Sequence, residues 1–225
     1  MSTRDRPLDT RDRLLLTAER LLGERGINGV SLREITREAG QRNASALHYH
    51  FGSRDGLIAA IFEKRMRLID QDRVQLIAEM EADGRMDHVR GVAEAVVMPV
   101  AKFLWRDDSS TNYIRFLTEM FLSPDTNIND FVRGRFDNGL LRAFDLLKGL
   151  LPELPENVVR QRFVMMMRAG TFALADIDAN RTRMAAAGRQ FDVARALDTL
   201  VDMWVGGVSA PLKEQASKKS GQVAA

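Results

Sequence analysis

The chain has 225 residues, of which 45% are hydrophobic and 28% are charged, so it is long and apolar enough to bury a core. The absence of cysteine excludes disulfides, thiolate catalysis and cysteine-based metal sites. A formal net charge of +2 does not favour a protein that coats DNA non-specifically, because such affinity comes from neutralising phosphates. The polar N-terminus is not typical of a signal peptide, and no segment reaches the roughly 20 apolar residues of a membrane span. We therefore expect a cytoplasmic protein without membrane contact.

Two amphipathic helices are predicted at the start of the chain. The first begins at Thr10, which can cap it, and ends before Gly26, a residue suited to a helix C-terminus. The second begins at Ser31, which forms a capping box with Glu34, and ends at Gly40.

A short third helix, Ala44–His50, and a long fourth helix, Ser53–Met80, follow. Leu47 and Phe51 are four residues apart and give the third helix one apolar side. A helix, a turn and a short polar helix over residues 31–51 are typical of a helix-turn-helix, whose second helix lies in the major groove of DNA. The alternative is three small helices that pack together without binding DNA.

The rest of the chain is predicted to form five more helices, at residues 87–106, 112–122, 127–150, 156–178 and 192–209. No segment shows the alternation of a β-strand, so we predict an all-α fold of about nine helices. The predicted organisation is a disordered arm at 1–9, a helix-turn-helix domain at 10–52, a ligand-binding and dimerisation domain at 53–209 and a disordered tail at 210–225.

Several short motifs occur together within residues 10–63. They are Arg25-Gly26, the pattern Leu32-x-Glu34-Ile35, and Tyr49-His50-Phe51 followed by Ser53-Arg54-Asp55. In these motifs the segment resembles the N-terminal domain of the TetR family of transcription repressors, whereas the remaining two-thirds is similar only in size and helical character. The resemblance implies a homodimeric, ligand-responsive repressor that binds a palindromic operator and is released by a small, largely apolar effector of unknown identity. Activation of transcription is the alternative.

The resemblance also implies a set of DNA-binding residues: Arg42, Asn43, Ala44, Ser45, Ala46, His48, Tyr49, His50 and Arg54. Ala44 stands where the family often has lysine, and His48 where most members have tyrosine, so we expect an unusual operator sequence. Arg42 lies in a turn one residue longer than the commonest family turn and is either a DNA contact or a solvated residue. His50 is either a contact or a structural residue, and Arg54 is expected to hold a phosphate.

A dimer interface is implied by the resemblance, since the last two helices of each TetR-like subunit form a four-helix interface. The apolar stripes of the two last predicted helices supply its candidate residues: Phe163, Gly170, Ala173, Leu174, Leu197, Val201, Trp204, Val205 and Val208. The alternative is that these stripes pack only within one subunit.

The middle helices are expected to frame an effector pocket, because methionine and aromatic side chains adapt to apolar ligands. The candidate pocket residues are Phe62, Met66, Met98, Phe103, Phe116, Met120, Phe136 and Met167. The alternative is that these side chains pack in the core and contact no ligand. Pro99 lies inside a predicted helix, and a kink there would leave room for a ligand. Five arginines of the middle helices would bind an anionic ligand, such as an acyl thioester of coenzyme A or a carboxylic acid: Arg115, Arg133, Arg135, Arg162 and Arg168. The alternative is that they lie on solvated faces.

The sequence contains no nucleophile elbow, no glycine-rich phosphate loop and no HExxH motif. His48 and His50 are two residues apart, so they point to different sides of a helix and cannot share a metal ion. We therefore predict that the chain is not an enzyme and that it needs neither a cofactor nor a metal.

Overall fold

The computed structural model describes residues 9–43, 45–105, 111–124, 128, 131, 134 and 137–212. Nine α-helices are described from end to end in these ranges, which contain no strand, and the predicted all-α fold is thereby confirmed. The helices α1 to α9 are Thr10–Arg25, Leu32–Glu38, Ala46–Phe51, Arg54–Ala82, Val89–Ala101, Thr111–Leu122, Asn138–Leu150, Glu156–Ala186 and Val193–Ser209. Short 3-10 helices at Arg85–Asp87 and Lys102–Leu104 precede and follow α5.

The first helices begin at residues whose side chains cap them. The carboxylate of Asp9 accepts the N–H of the residue three positions on at 2.7 Å, so Asp9 caps α1 in place of the predicted Thr10. The hydroxyl of Ser31 accepts the N–H of Glu34 at 3.2 Å, as the capping box requires. The carboxylate of Glu34 binds Arg25 at 2.5 Å, which links the ends of α1 and α2.

Two of the predicted helices differ most in their bounds from those in the structure. The helix predicted from residue 127 begins at Asn138, because Gly134 has a φ of 71°, a turn conformation that a right-handed helix does not contain. The helix predicted to end at residue 178 continues to Ala186, since the chain meets no helix-breaking residue before Gly188.

The larger part of the fold is built around α5, which packs against α4, α7, α8 and α9. Its sequence, VRGVAEAVVMPVA, is apolar on most sides, as expected for a helix with neighbours all round it. The smaller, N-terminal part consists of α1, α2 and α3, which contact one another and the start of α4.

The N-terminal helices are fastened to the rest of the molecule through α1. Arg65 of α4 donates two hydrogen bonds of 2.7 and 2.9 Å to Glu19 of α1, and both side chains are buried. Gly23 lies against α6 so closely that a Cβ there would be 2.9 Å from the backbone nitrogen of Phe116 and 3.0 Å from the carbonyl oxygen of Asn112. Any displacement of α4 or α6 therefore acts directly on α1.

The predicted disordered arm and tail fall almost wholly outside the described residues, which include only Asp9 of the arm and 210–212 of the tail. The domain boundaries at 52 and 209 stay predictions. Among the described helices, none has the length and apolar character that crossing a bilayer requires.

Candidate nucleic-acid interface and effector cavity

The short helix α3 is anchored by one side chain and presents most of the others to solvent. Leu47 is 1% exposed and joins the core, whereas Tyr49 is 85% exposed. Ser45 and His48 are also exposed, and His50 is half-buried. The outward side of α3 therefore carries hydroxyl and imidazole groups, which are the kinds of donor and acceptor that read base edges.

The turn before α3 is shaped by Asn43. Its side-chain oxygen accepts the N–H of Ser45 at 2.9 Å, and its carbonyl accepts the N–H of Ala46 at 3.1 Å. This arrangement is an Asx turn, in which an asparagine side chain replaces a backbone partner. Arg42 is exposed in the same turn, and the predicted contact Ala44 lies outside the described residues.

Arg54 has an internal role that the sequence did not indicate. Its Nη1 donates to the carbonyl of Val30 at 2.8 Å, and its Nη2 donates to the carbonyl of Ile27. Both carbonyls belong to the loop between α1 and α2, so Arg54 fixes the start of α4 to that loop. The predicted phosphate contact of Arg54 stays a prediction and would have to use its other N–H groups.

Exposed arginines without an ion pair in the described part of the chain include Arg33 in the first turn of α2, Arg42 in the turn before α3, and Arg11, which lies over the phenylalanine ring of α3. Arg37, by contrast, lies 3.4 Å from the carboxylate of Glu38. Arg33 was missed by the sequence analysis. The available signal was its place at the start of the first helix of a helix-turn-helix, which crosses the DNA backbone.

A cavity of about 140 Å³ lies between α4, α5, α6, α7, α8 and α9. An apolar cavity of roughly 150 Å³ is large enough to bind a small apolar molecule. Its wall is apolar except at Arg73, Thr171 and the indole of Trp204. The other lining residues are Met66, Val96, Val97, Val100, Leu117, Phe121, Ile128, Leu140, Met166, Met167, Gly170 and Leu174.

The predicted pocket residues divide between this cavity and the core. Met66 and Met167 line the cavity, whereas Met98 lies in a separate surface groove beside α9. Four others pack in the core, and for them the prediction is corrected: Phe62, Phe103, Phe116 and Met120. Aromatic and methionine content alone does not separate core from cavity. Phe136 lies outside the described residues.

Arg73 is the charged residue among the described cavity-lining side chains, and it is 2% exposed. Its Nε donates to the carbonyl of Ala95 at 3.2 Å, and its Nη2 donates to the carbonyl of Val96 at 3.4 Å. The carbonyl of Ala95 has no helical partner because the residue four positions on is Pro99, which lacks an N–H. Arg73 therefore supplies the hydrogen bond that the proline removes from α5.

Neighbouring residues hold the aliphatic part of Arg73 in place. A Cβ at Gly139 of α7 would lie 3.0 Å from the Cγ and Cδ atoms of Arg73, so only a glycine fits here without a shift. The N–H of Gly139 donates to Asp70 at 2.8 Å. Burial lowers the pKa of Arg73 from its usual range to about 10, although the nearby carboxylate of Asp70 favours the charged form.

Two comparisons with protein families cover most of the chain. Residues 14–61 match the family model of bacterial regulatory proteins of the tetR family, and residues 94–207 match that of the tetracyclin repressor-like C-terminal domain. The chain belongs to the TetR family. It is thus a DNA-binding transcription regulator, which confirms the resemblance and the prediction that the chain is not an enzyme.

Solved structures show the same TetR fold at low sequence identity. A putative tetR family regulator from Shewanella sp. PV-4 has 16% identity and a TM-score of 0.58, over 87% of this chain and 98% of that one. NalD, a repressor from Pseudomonas aeruginosa, has 17% identity and a TM-score of 0.51, over 88% and 96%. A mutant of HlyIIR has 16% identity and a TM-score of 0.50, over 94% and 100%. A search of curated proteins found no match to the chain.

Most of the predicted dimer residues of this TetR-family chain are buried inside the subunit. They are Phe163, Gly170, Leu174, Leu197, Val201, Trp204 and Val208. The rings of Phe163 and Trp204, for example, pack edge to face with their centroids 5.9 Å apart. A side chain without free surface has none to bury against a second subunit, so the prediction is corrected for these residues. Ala173 and Val205 are half-buried.

Other apolar residues of α8 and α9 do face outward. Met165 is 61% exposed, Phe172 is 39% exposed and Met203 is 65% exposed. Ala169 lies between Met165 and Phe172 on the same side of α8, and Gly206 lies one turn after Met203 on α9. We call these five residues the outward face. Its small residues permit another helix to approach closely.

Proposed function

We propose that this TetR-family regulator is a repressor that binds a palindromic operator as a homodimer and releases it when a small, largely apolar effector enters the cavity. The observation that carries the proposal is the course of α4. This single helix begins at Arg54, beside α3, and carries Met66 and Arg73 in the cavity wall. The relative NalD is described as the secondary repressor of a multidrug efflux pump, which favours repression over activation.

The proposed DNA contact places α3 in the major groove. Ser45, His48 and Tyr49 face the bases, because they are the exposed polar side chains of that helix. Arg33 and Arg42 bind phosphates on either side, since both are exposed and carry no ion pair in the described residues. We also propose that the remaining predicted residues, at positions 43, 44, 46, 50 and 54, contribute to DNA binding, because they lie close to these residues in the sequence.

The proposed release works through α1. An effector that pushes on Met66 or Arg73 displaces α4, and the buried pair between Arg65 and Glu19 carries that displacement to α1. The two reading heads of the dimer would then no longer match half-sites about one helical turn, roughly 34 Å, apart. The effector must bind the displaced state more tightly than the DNA-bound state, because equal affinity shifts nothing.

Binding-site selection from random duplex DNA, followed by affinity measurements on the selected and scrambled sequences, tests this function. We expect a palindromic site that the full-length protein binds at least about a thousandfold more tightly than scrambled DNA. Tyr49→Ala should weaken binding to the selected site by about tenfold or more, because it removes a base-edge contact. Leu141→Ala, at an exposed position on α7, is the matched control and should bind like the wild type. Equal affinity for selected and scrambled duplexes would refute sequence-specific regulation.

A further inference from the structure

We propose that the ligand of the cavity is an amphiphile with a single carboxylate, whose oxygens are bound by Arg73 and Trp204 and whose apolar part fills the remaining space. This inference rests on the proposed function in one respect only, namely that the ligand is the effector that releases DNA. Its chemical class follows from the cavity wall alone.

Two donor nitrogens of the wall have no acceptor within the described part of the chain. They are the Nη1 of Arg73 and the Nε1 of Trp204, and both atoms are fully buried. Buried donors are nearly always hydrogen-bonded in proteins, so each unpartnered donor requires an explanation. Both residues line the same cavity, and a bound acceptor there would explain both donors together.

The wall itself does not provide that acceptor. None of the cavity-lining residues that the structure describes is an aspartate or glutamate. The hydroxyl of Thr171 donates to the carbonyl of Met167 at 3.1 Å and accepts from neither of the two unpartnered donors. The carboxylate of Asp70 accepts from Gly139 and does not line the cavity. The positive charge of Arg73 is thus opposed by no anion in the wall.

A carboxylate suits the free donors of the wall better than other head groups do. Nε and Nη2 of Arg73 already donate to the carbonyls of Ala95 and Val96, so the two N–H groups of Nη1, the second N–H of Nη2 and the indole N–H of Trp204 remain. The two oxygens of a carboxylate offer about four lone-pair sites to these N–H groups. A phosphate would bring a third oxygen and a second charge into an apolar space, and an amine would add a like charge beside a buried arginine. A neutral ligand would leave only Asp70, outside the cavity wall, as a nearby carboxylate opposing the arginine charge among the described residues.

The rest of the cavity suits an apolar chain or ring. Aliphatic side chains of α5, among them Val96, Val97 and Val100, form one wall, and Met166 and Met167 of α8 form another. Gly170 also lines the space, and a Cβ built there would meet no atom within 4 Å. Burying an apolar body against this wall releases its hydration shell and adds affinity.

Ligand binding to the full-length protein tests the proposal with three probes below their micelle concentrations: decanoate, methyl decanoate and decylamine. Trp204 reports binding through its fluorescence, once Trp105→Phe has removed the signal of the other tryptophan, which is exposed. We expect decanoate to bind at least about tenfold more tightly than methyl decanoate and decylamine not to bind. Equal binding of the acid and its ester, binding of the amine, or binding of none of the probes would overturn the proposal.

A pair of variants separates the head-group contact from the support that Arg73 gives to α5. Arg73→Met alone leaves the carbonyl of Ala95 without a donor, whereas Pro99→Ala restores a helical N–H for that carbonyl. The double variant Arg73→Met with Pro99→Ala should lose the preference for decanoate, and Pro99→Ala alone should keep it. A preference that survives in the double variant would rule out Arg73 as the carboxylate site.

Operator binding separates this inference from the proposed function. Decanoate should release the selected duplex from the wild type and not from the double variant. If decanoate binds with the expected preference but leaves the operator complex intact, the ligand class stands and the release mechanism fails. If the protein shows no sequence preference for DNA, the repressor proposal fails while the probe measurements still decide the ligand class.

Discussion

Buried charge has different surroundings at two positions along α4. Arg65 donates two hydrogen bonds to the carboxylate of Glu19, whereas Arg73 donates hydrogen bonds to carbonyls of α5 and has the carboxylate of Asp70 nearby without a hydrogen bond to it in the described residues. Removing one partner of a buried ion pair is costly because the other charge is then uncompensated. Arg65 and Glu19 therefore hold α4 and α1 together, while Arg73 keeps a charge that a ligand can neutralise.

Glu19→Gln removes the charge that opposes Arg65 and keeps the size of the side chain. We expect the free energy of unfolding to fall by about 3–5 kcal/mol, because a buried arginine is left without its carboxylate. Urea denaturation followed by circular dichroism measures the change.

Asp12→Asn is the matched control for Glu19→Gln. Asp12 and Lys64 join the same two helices at 2.7 Å, but about a third of each side chain is exposed. An exposed pair contributes at most about 1 kcal/mol, so the control should lose little stability. If both variants lose the same small amount, the buried pair is not the main link between α1 and α4.

Residues with a local role could be predicted from the sequence, whereas residues with a distant partner could not. The caps Ser31 and Ser53 act on N–H groups three positions away; Ser31 was predicted as a cap, and Ser53 was predicted as the start of its helix. Arg73 was missed because its partner carbonyl is made available by Pro99, in another helix. The one signal in the sequence was that Arg73 falls on the apolar stripe of α4, four positions before the buried Ile77.

Among the helices, apolar periodicity predicted which segments form α-helix but not what covers each apolar face. The stripe through Leu197, Val201 and Trp204 was recognised, yet it packs inside the subunit and not between subunits. The spacing of apolar residues along a helix is the same whether its apolar side faces its own core or a partner. The end of α8 was placed too early because the segment from Asn180 to Gly188 was interpreted as a break, although its polar residues continue an exposed helix well.

The contact between α1 and α6 depends on one small residue, which makes it testable by adding a methyl group. Gly23→Ala places a Cβ against the backbone of α6, 2.9 Å from the nitrogen of Phe116. The backbone atoms of a packed helix cannot move far to make room for the methyl group. We therefore expect the free energy of unfolding to fall by about 1–3 kcal/mol. Urea denaturation measures that loss, and a parallel titration with the selected duplex reports whether α3 is displaced.

Gly149→Ala provides the control for Gly23→Ala, because it makes the same change inside α7 where a Cβ meets nothing within 4 Å. Alanine should stabilise that helix by about 0.5–1 kcal/mol relative to glycine. If Gly23→Ala also raises stability, α1 and α6 are not packed at the distance that the structure gives.

Across the whole molecule, the cavity and the N-terminal helices share two neighbours. α4 carries Arg73 in the cavity wall and Arg65 against α1, and α6 carries Leu117 and Phe121 in the wall and contacts Gly23 of α1. A ligand in the cavity thus touches both helices that hold α1. The two contacts with α1 are a buried ion pair and a close backbone contact. Because both are tightly packed, α4 or α6 cannot move without moving α1.

The outward face is where we expect a second subunit to bind, since it combines exposed methionine and phenylalanine with small residues on the two longest helices of the C-terminal half. Phe172→Glu together with Met203→Glu should convert the dimer to a monomer at micromolar concentration. In a two-fold interface both subunits carry each substitution, so that unpaired glutamate charges would be buried on both sides of the symmetry axis. Light scattering coupled to size-exclusion chromatography measures the mass of the particle.

Leu141→Glu is the matched control for the dimer variant, because it adds the same charge at an exposed apolar position of α7, away from the outward face. The control should stay dimeric and bind the selected duplex like the wild type. The double variant should lose most of its operator affinity, because two half-sites one helical turn apart need two linked reading heads. A double variant that remains dimeric would place the interface on another surface, whereas one that becomes monomeric without losing affinity would remove the need for a palindrome.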